Sequence, residues 1–126
     1  MTKTDTSLLT GVSHIVLKVS DLDASVGWYR DALGLEEIRR EPTGRYVGMR
    51  SASGLQVGLF AGGQRDNSGA LDHIAFTVSD LDTLTAWAGH LDAMGVAHEG
   101  IKPNPFGHSI DLFDPDGNNL ELVSEA

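Results

Sequence analysis

The sequence predicts an α+β fold of two βαβββ repeats that form an open, mixed-sheet, barrel-like cavity with the helices outside. Three observations predict it. The run Ser13-His14-Ile15-Val16-Leu17-Lys18-Val19-Ser20-Asp21-Leu22-Asp23 returns as Asp72-His73-Ile74-Ala75-Phe76-Thr77-Val78-Ser79-Asp80-Leu81-Asp82, 59 positions on (72 minus 13), and the same displacement carries Trp28 onto Trp87. Each copy opens with alternating apolar residues and continues with apolar residues at helical spacing. Each then breaks into short strand-like runs. A His, a Val-Ser-Asp-Leu-Asp block and a Trp in one register mark a duplicated unit. The whole chain, 1–126, reads as a single domain: repeat one over about 11–62, a linker over about 63–69, and repeat two over about 70–126.

In the opening strands Ile15, Leu17 and Val19 alternate with His14, Val16 and Lys18, as Ile74, Phe76 and Val78 do with His73, Ala75 and Thr77. The following Ser-Asp-Leu-Asp offers a side-chain oxygen to the first free amides of a helix, and its carboxylates suit the positive end of the helix dipole. Helices run to about Leu33 and Met94. Leu22, Val26, Tyr29 and Leu33 give the first an apolar stripe, and Leu84, Trp87, Ala88 and Leu91 the second. Trp28 and Trp87, at equivalent positions, are assigned structural roles. Gly34 and Gly95 suit the left-handed closing residue. Strands are expected at about 36–40, 45–50, 55–60, 97–100, 108–113 and 119–123. Asp114-Pro115-Asp116-Gly117 is a turn, with Pro pre-set for its second position and Gly free to take positive φ. Gly62 to Gly69, rich in Gly, Asn and Ser, is the linker.

The length suits one domain with a real core, since 40% of the 126 residues are hydrophobic. No apolar run approaches the roughly 20 residues needed to span a bilayer, and Met1 to Thr10 lacks the order of a secretory signal, so the expected location is cytoplasmic. Cysteine is absent. Any metal chemistry then falls to His and carboxylates. Eighteen Asp and Glu against nine Lys and Arg leave a net charge of −9, which disfavours nucleic acid and anionic membranes as partners.

Aligning the ends of the two copies sets Leu55-Gln56-Val57 against Leu120-Glu121-Leu122. Strand alternation sends Leu55, Val57, Leu59, Leu120 and Leu122 to the helices and leaves Gln56 and Glu121 on the face of His14 and His73. The repeat thus nominates four positions, and they converge if the first and last strands of each copy are neighbours. Two imidazoles and a carboxylate form the facial set that iron, manganese, zinc, nickel or cobalt occupies with positions left open. Gln56 is a fourth, weaker oxygen donor.

His14-Ile15-Val16-Leu17, Trp28-Tyr29-Arg30-Asp31-Ala32-Leu33-Gly34, Asp72-His73-Ile74-Ala75-Phe76 and Asp114-Pro115-Asp116-Gly117-Asn118-Asn119-Leu120-Glu121-Leu122 give nearly the whole chain a likeness to one family. It resembles the vicinal oxygen chelate superfamily of glyoxalases, bleomycin resistance proteins and extradiol dioxygenases. The resemblance implies that His14, His73 and Glu121 are ligands of one divalent metal ion (Fe, Ni, Co, Zn or Mn) in a cavity between curled sheets, and that the protein is a homodimer. It further implies an enzyme acting on a small substrate chelated through vicinal oxygens. Lyase or isomerase proton transfer by Glu121 is favoured; Fe(II)-dependent ring cleavage and metal-free antibiotic binding are the alternatives. Bacterial glyoxalases typically carry a second Glu where Gln56 stands, whereas the His, Gln, His, Glu order is like that of methylmalonyl-CoA epimerases. Tyr46-Val47-Gly48-Met49-Arg50 lacks those epimerases' extra acid, which leaves Glu121 as the only obvious base. Whether one chain or two complete the cavity is left open.

Lesser candidates follow. His108 suits the further histidine of ring-cleaving enzymes, with a surface role the expectation in its Pro- and Gly-rich setting. His90 and His98 are expected to be solvated. Arg45 and Arg50 suit an anionic substrate group, although solvated arginines on strands are commoner. Phe60 and Phe113 are expected in the core, with the cavity wall as the alternative.

Overall fold

The computed structural model describes Leu9, 11–63 and 71–125. The stretch read as linker lies outside the described residues beyond Gly63. Each repeat has the expected order. The first contains β1 (Ile15–Val19), α1 (Leu22–Leu33), β2 (Glu36–Arg40), β3 (Tyr46–Arg50) and β4 (Gln56–Ala61). The second contains β5 (His73–Val78), α2 (Leu81–Ala93), β6 (Lys102–Asn104), β7 (Gly107–Phe113) and β8 (Asn119–Glu125). They build two four-stranded mixed sheets ordered β1-β4-β3-β2 and β5-β8-β7-β6. In both, the first strand lies parallel to the last, with Ile15 opposite Val57 and Ala75 opposite Glu121.

Local chemistry explains the boundaries. Asp21 accepts from the Ala24 amide and Asp80 from the Thr83 amide, so each helix starts on a carboxylate cap. Gly34, at φ 72°, closes α1 with its amide on the Arg30 carbonyl while Leu35 N–H reaches the Tyr29 carbonyl, a Schellman closure. Gly95 has the same φ of 72° after α2. The core lies between each helix and its sheet: Val26, Tyr29 and Leu33 against Leu17, Val57 and Leu59, and Leu84 and Leu91 against Ile110, Leu112, Leu120 and Leu122. Along β5 the opposite face is exposed, whereas Gly48 and Gly58 on that face of the first sheet, and Ser109 and Val123 on that of the second, are buried.

Several expectations change. The strand foreseen at 97–100 is a single bridge from His98 to Leu112, and the strand itself is β6, across Pro103. Proline is tolerated there because β6 is the sheet edge, where one backbone amide need not pair. Asn104 Oδ1 accepts from the amides of Phe106 and Gly107 and so turns the β6–β7 hairpin. Phe60 is half-buried and Phe113 is exposed, both on open faces and not in the core.

The repeats meet through a buried polar seam. Tyr29 donates to Asp114 Oδ2 at 2.6 Å, and Asp114 Oδ1 accepts the amides of Asp116 and Asn118. Burial, and next the charge of Asp114, push the Tyr29 hydroxyl above its usual range. The Ser20 amide donates to the Asp116 carboxylate, so the Asp114-Pro115-Asp116-Gly117 turn holds repeat one as well as reversing the chain. His90 Nε2 lies 3.0 Å from the Asp31 carbonyl and 3.1 Å from that of Ala32. It therefore serves the orphan carbonyls at the end of α1, a role beyond solvation.

Candidate metal centre

Four side chains nominated by the duplication occur as two pairs. His14 stands one residue before β1, and the β1–β4 register brings it beside Gln56. Both line a cavity of about 250 Å³ with Ile38, Arg39 and Tyr46. His73 opens β5, and its Nε2 lies 3.9 Å from Glu121 Oε2 on β8. Glu121 is half-buried, its side chain 20% exposed.

The two imidazoles are oriented alike. Ser13 Oγ lies 3.0 Å from His14 Nδ1, and Asp72 Oδ2 lies 2.7 Å from His73 Nδ1. Ser13 and Asp72 are equivalent in the repeat, so the duplication preserves an orienting bond as well as the ring. Each bond engages Nδ1 and leaves Nε2 on the far side of the ring, and a second group at one ring nitrogen is how metal-bound histidines are commonly oriented. The hydrogen bond to Asp72 holds the His73 pKa above its usual 6.5, helped by the charges of Asp72, Glu121 and Asp111. Asp111 joins this set because β7 places it directly across from Glu121.

Within one chain the pairs stay apart. Among the described residues no three His, Asp or Glu side chains gather closely enough to hold a metal. The physical reason is that β1–β4 and β5–β8 form separate sheets, and the named contacts between repeats run through α1, α2 and the turn after β7. Each open face therefore carries one of the two pairs, His14 with Gln56 or His73 with Glu121.

Other candidates sort by register. His108 pairs with Ser124 and shares the face of Ile110 and Leu112, toward the helix, whereas Glu121 shares the opposite face with Asp111. This removes His108 from the face of His73. His98 is not solvated: its side chain is 7% exposed, with Nε2 2.7 Å from Asp92 and Nδ1 accepting from the Gly100 amide. Arg45 lies over the Phe60 ring, 5.7 Å from its centroid, and Arg50 borders a different cavity with Gly34 and Glu36. Ile38, Arg39 and Tyr46 line the cavity without having been nominated from the sequence. Arg39 follows a register shift in β2, which repeat alignment and strand alternation do not foresee.

Residues 11–122 match the Glyoxalase/Bleomycin resistance protein/Dioxygenase superfamily. The chain belongs to that superfamily. It is 32% identical to the glutathione transferase FosA of Serratia marcescens, over 91% of this chain and 81% of that one. A crystal structure of a glyoxylase/bleomycin resistance protein/dioxygenase domain from Frankia sp. superposes with a TM-score of 0.82 at 30% identity, covering 94% of this chain and 99% of the other. The fosfomycin resistance protein FosX of Listeria monocytogenes, complexed with Mn(II) and sulfate, superposes with a TM-score of 0.74 at 25% identity, covering 94% and 93%. Relatives thus include metal-dependent enzymes. No helix among the described residues is long and apolar enough to cross a membrane.

Proposed function

We propose that this protein is a divalent-metal-dependent enzyme acting on a small substrate through two adjacent oxygens, by lyase- or isomerase-type proton transfer. Two chains of a homodimer share each site, His14 and Gln56 coming from one and His73 and Glu121 from the other. One observation carries the reading: equivalent open faces present complementary halves of a ligand set, each with a histidine whose Nδ1 is already engaged. The donors fit such a metal. Two imidazole nitrogens, a carboxylate and an amide oxygen, with no thiolate, suit Mn, Fe, Co, Ni or Zn with positions left for substrate. FosX with bound Mn(II) supports the choice of class.

A cation held there supplies Lewis acidity toward charge developing on a substrate oxygen. The chain's own part is positional and acid–base. Ser13 and Asp72 fix the imidazoles, so the ligand nitrogens need no reorganisation. Glu121 is the one carboxylate among the four, and its half-buried position beside His73 suits it to take a proton from one substrate carbon and return it to the next. Lys18, Arg39 and Arg50 outnumber Glu36 on the open face of the first sheet, and Asp111, Glu121 and Glu125 outnumber Lys102 on that of the second. Charge complementarity favours pairing unlike faces across two chains. Exposed Val16, Ile38 and Phe113 add apolar area to the same surfaces.

A mixing experiment tests both the ligands and their sharing. His14→Ala and His73→Ala each abolish stoichiometric metal. Refolded together in equal amounts, they regain about one quarter of the native content, because half the dimers are mixed and each of those keeps one intact site of two. No recovery from a mixture that forms heterodimers would sink the shared site. Turnover supported by Mn, Co, Ni or Zn without oxygen uptake separates proton transfer from ring cleavage.

A further inference from the structure

The cavity beside His14 and Gln56 has features that ligation does not explain. Its floor is a glycine pair, Gly48 opposite Gly58, on the open face of β3 and β4. The Tyr46 ring lies across Gly58, with Cε2 2.7 Å from where a Cβ would stand, so any side chain at 58 would drive the ring out. Arg39 stacks over that ring, its guanidinium carbon 5.7 Å from the centroid. Its partner is a loose pair with Glu41 at 3.7 Å, and the Arg39 side chain is 68% exposed. Such a pair contributes little and yields readily to a better acceptor. Four of the nine basic residues, Lys18, Arg39, Arg45 and Arg50, lie on or beside this face of a chain whose net charge is −9. A cationic patch on an acidic protein, beside His14 and Gln56, concentrates anions there.

The geometry points to an anion subsite: Arg39, backed by the Tyr46 ring, binds a carboxylate, phosphate or phosphonate group of the substrate at a distance from its two chelating oxygens. This rests on the shared-metal reading for the position of those oxygens, and it names the substrate class as anionic. Arg39 is a specificity-determining residue, with its planar donors suited to a bidentate oxyanion.

Catechol and its carboxylate derivative protocatechuate present the same adjacent oxygens and differ in the anion. Titrated calorimetrically into the Zn(II)-loaded protein, protocatechuate binds about 10-fold more tightly than catechol. Arg39→Ala removes that preference by weakening protocatechuate, with zinc content unchanged; Arg39→Lys keeps part of it. Equal affinities in the native protein, or a preference that survives Arg39→Ala, overturn the subsite. The same titrations on metal-free protein separate the two claims. An Arg39-dependent preference in a protein that binds no zinc retains the subsite while the metal reading falls.

Discussion

The two halves of the chain share a backbone plan and differ in the chemistry of their open faces. In the first half His14 is oriented by a neutral hydroxyl, its partner is the neutral Gln56, and Arg39, Lys18 and Arg50 surround the pair. In the second His73 is oriented by a carboxylate, its partner is Glu121, and Asp111 stands across the strand. Both imidazoles kept one position and one orienting bond while their surroundings took opposite charge. On the proposed reading, duplication supplied symmetry for ligation, and divergence supplied a more cationic half for substrate and a more anionic half for the ion.

The largest test of this asymmetry compares ligands across the halves. His73→Ala removes an imidazole beside Glu121 and lowers metal affinity by about 100-fold or more, whereas Gln56→Ala removes a neutral donor and costs about 10-fold or less. Competition with a metal-sensitive dye reads both. Equal losses at the two positions would mean that the halves contribute alike and that charge divergence is irrelevant to the ion.

A smaller effect separates the open faces from the seam they share. Tyr29→Phe removes the donor to Asp114 Oδ2 inside a buried network, where Asn118 Nδ2 at 2.8 Å still compensates in part. Urea unfolding should lose about 1–3 kcal/mol, the range for a buried acceptor deprived of a partner. Metal content should not change. A loss of metal in a folded variant would couple the seam to the centre.

Much of this was legible in the residues, for identifiable reasons. The repeat announced itself because Val-Ser-Asp-Leu-Asp must do the same local work twice, ending a strand and capping a helix, and Asp21 and Asp80 are the caps. Gln56 and Glu121 could be assigned to one face because strand alternation has a period of two and Val57, Leu59, Leu120 and Leu122 are all core. Where local pattern did not determine position, reading failed. Pro103 argued for a loop because sequence does not reveal which strand is an edge. His98 was taken as solvated because its partner Asp92 comes within reach only through the packing at the end of α2, whereas His90 is exposed as expected and adds a contact to the α1 carbonyls. Arg39 reached the cavity through a register shift, and the burial of the seam turned Asp114 and Asp116 from turn formers into its centre.

The finest distinction between the halves is the orienting group, and pH reads it. His73 is held above its usual 6.5 first by the hydrogen bond to Asp72. A raised value means that the metal-free protein keeps a proton on His73 over a wider range, and a cation must displace it. Metal affinity therefore rises with pH through that raised value and flattens above it. Asp72→Asn moves the flattening point down toward 6.5 and, because the carboxylate also makes Nε2 more basic, lowers the plateau by about 10-fold. Ser13→Ala, in the half with a neutral orienter, leaves the flattening point where it was and lowers the plateau by less. Titrating metal affinity from pH about 5 to 9 for both variants, with the native protein alongside, decides it, since that window brackets the ordinary histidine range. Identical curves for the two variants would show that hydroxyl and carboxylate are interchangeable at this position, and the charge difference between the halves would then have no bearing on how the ion is held.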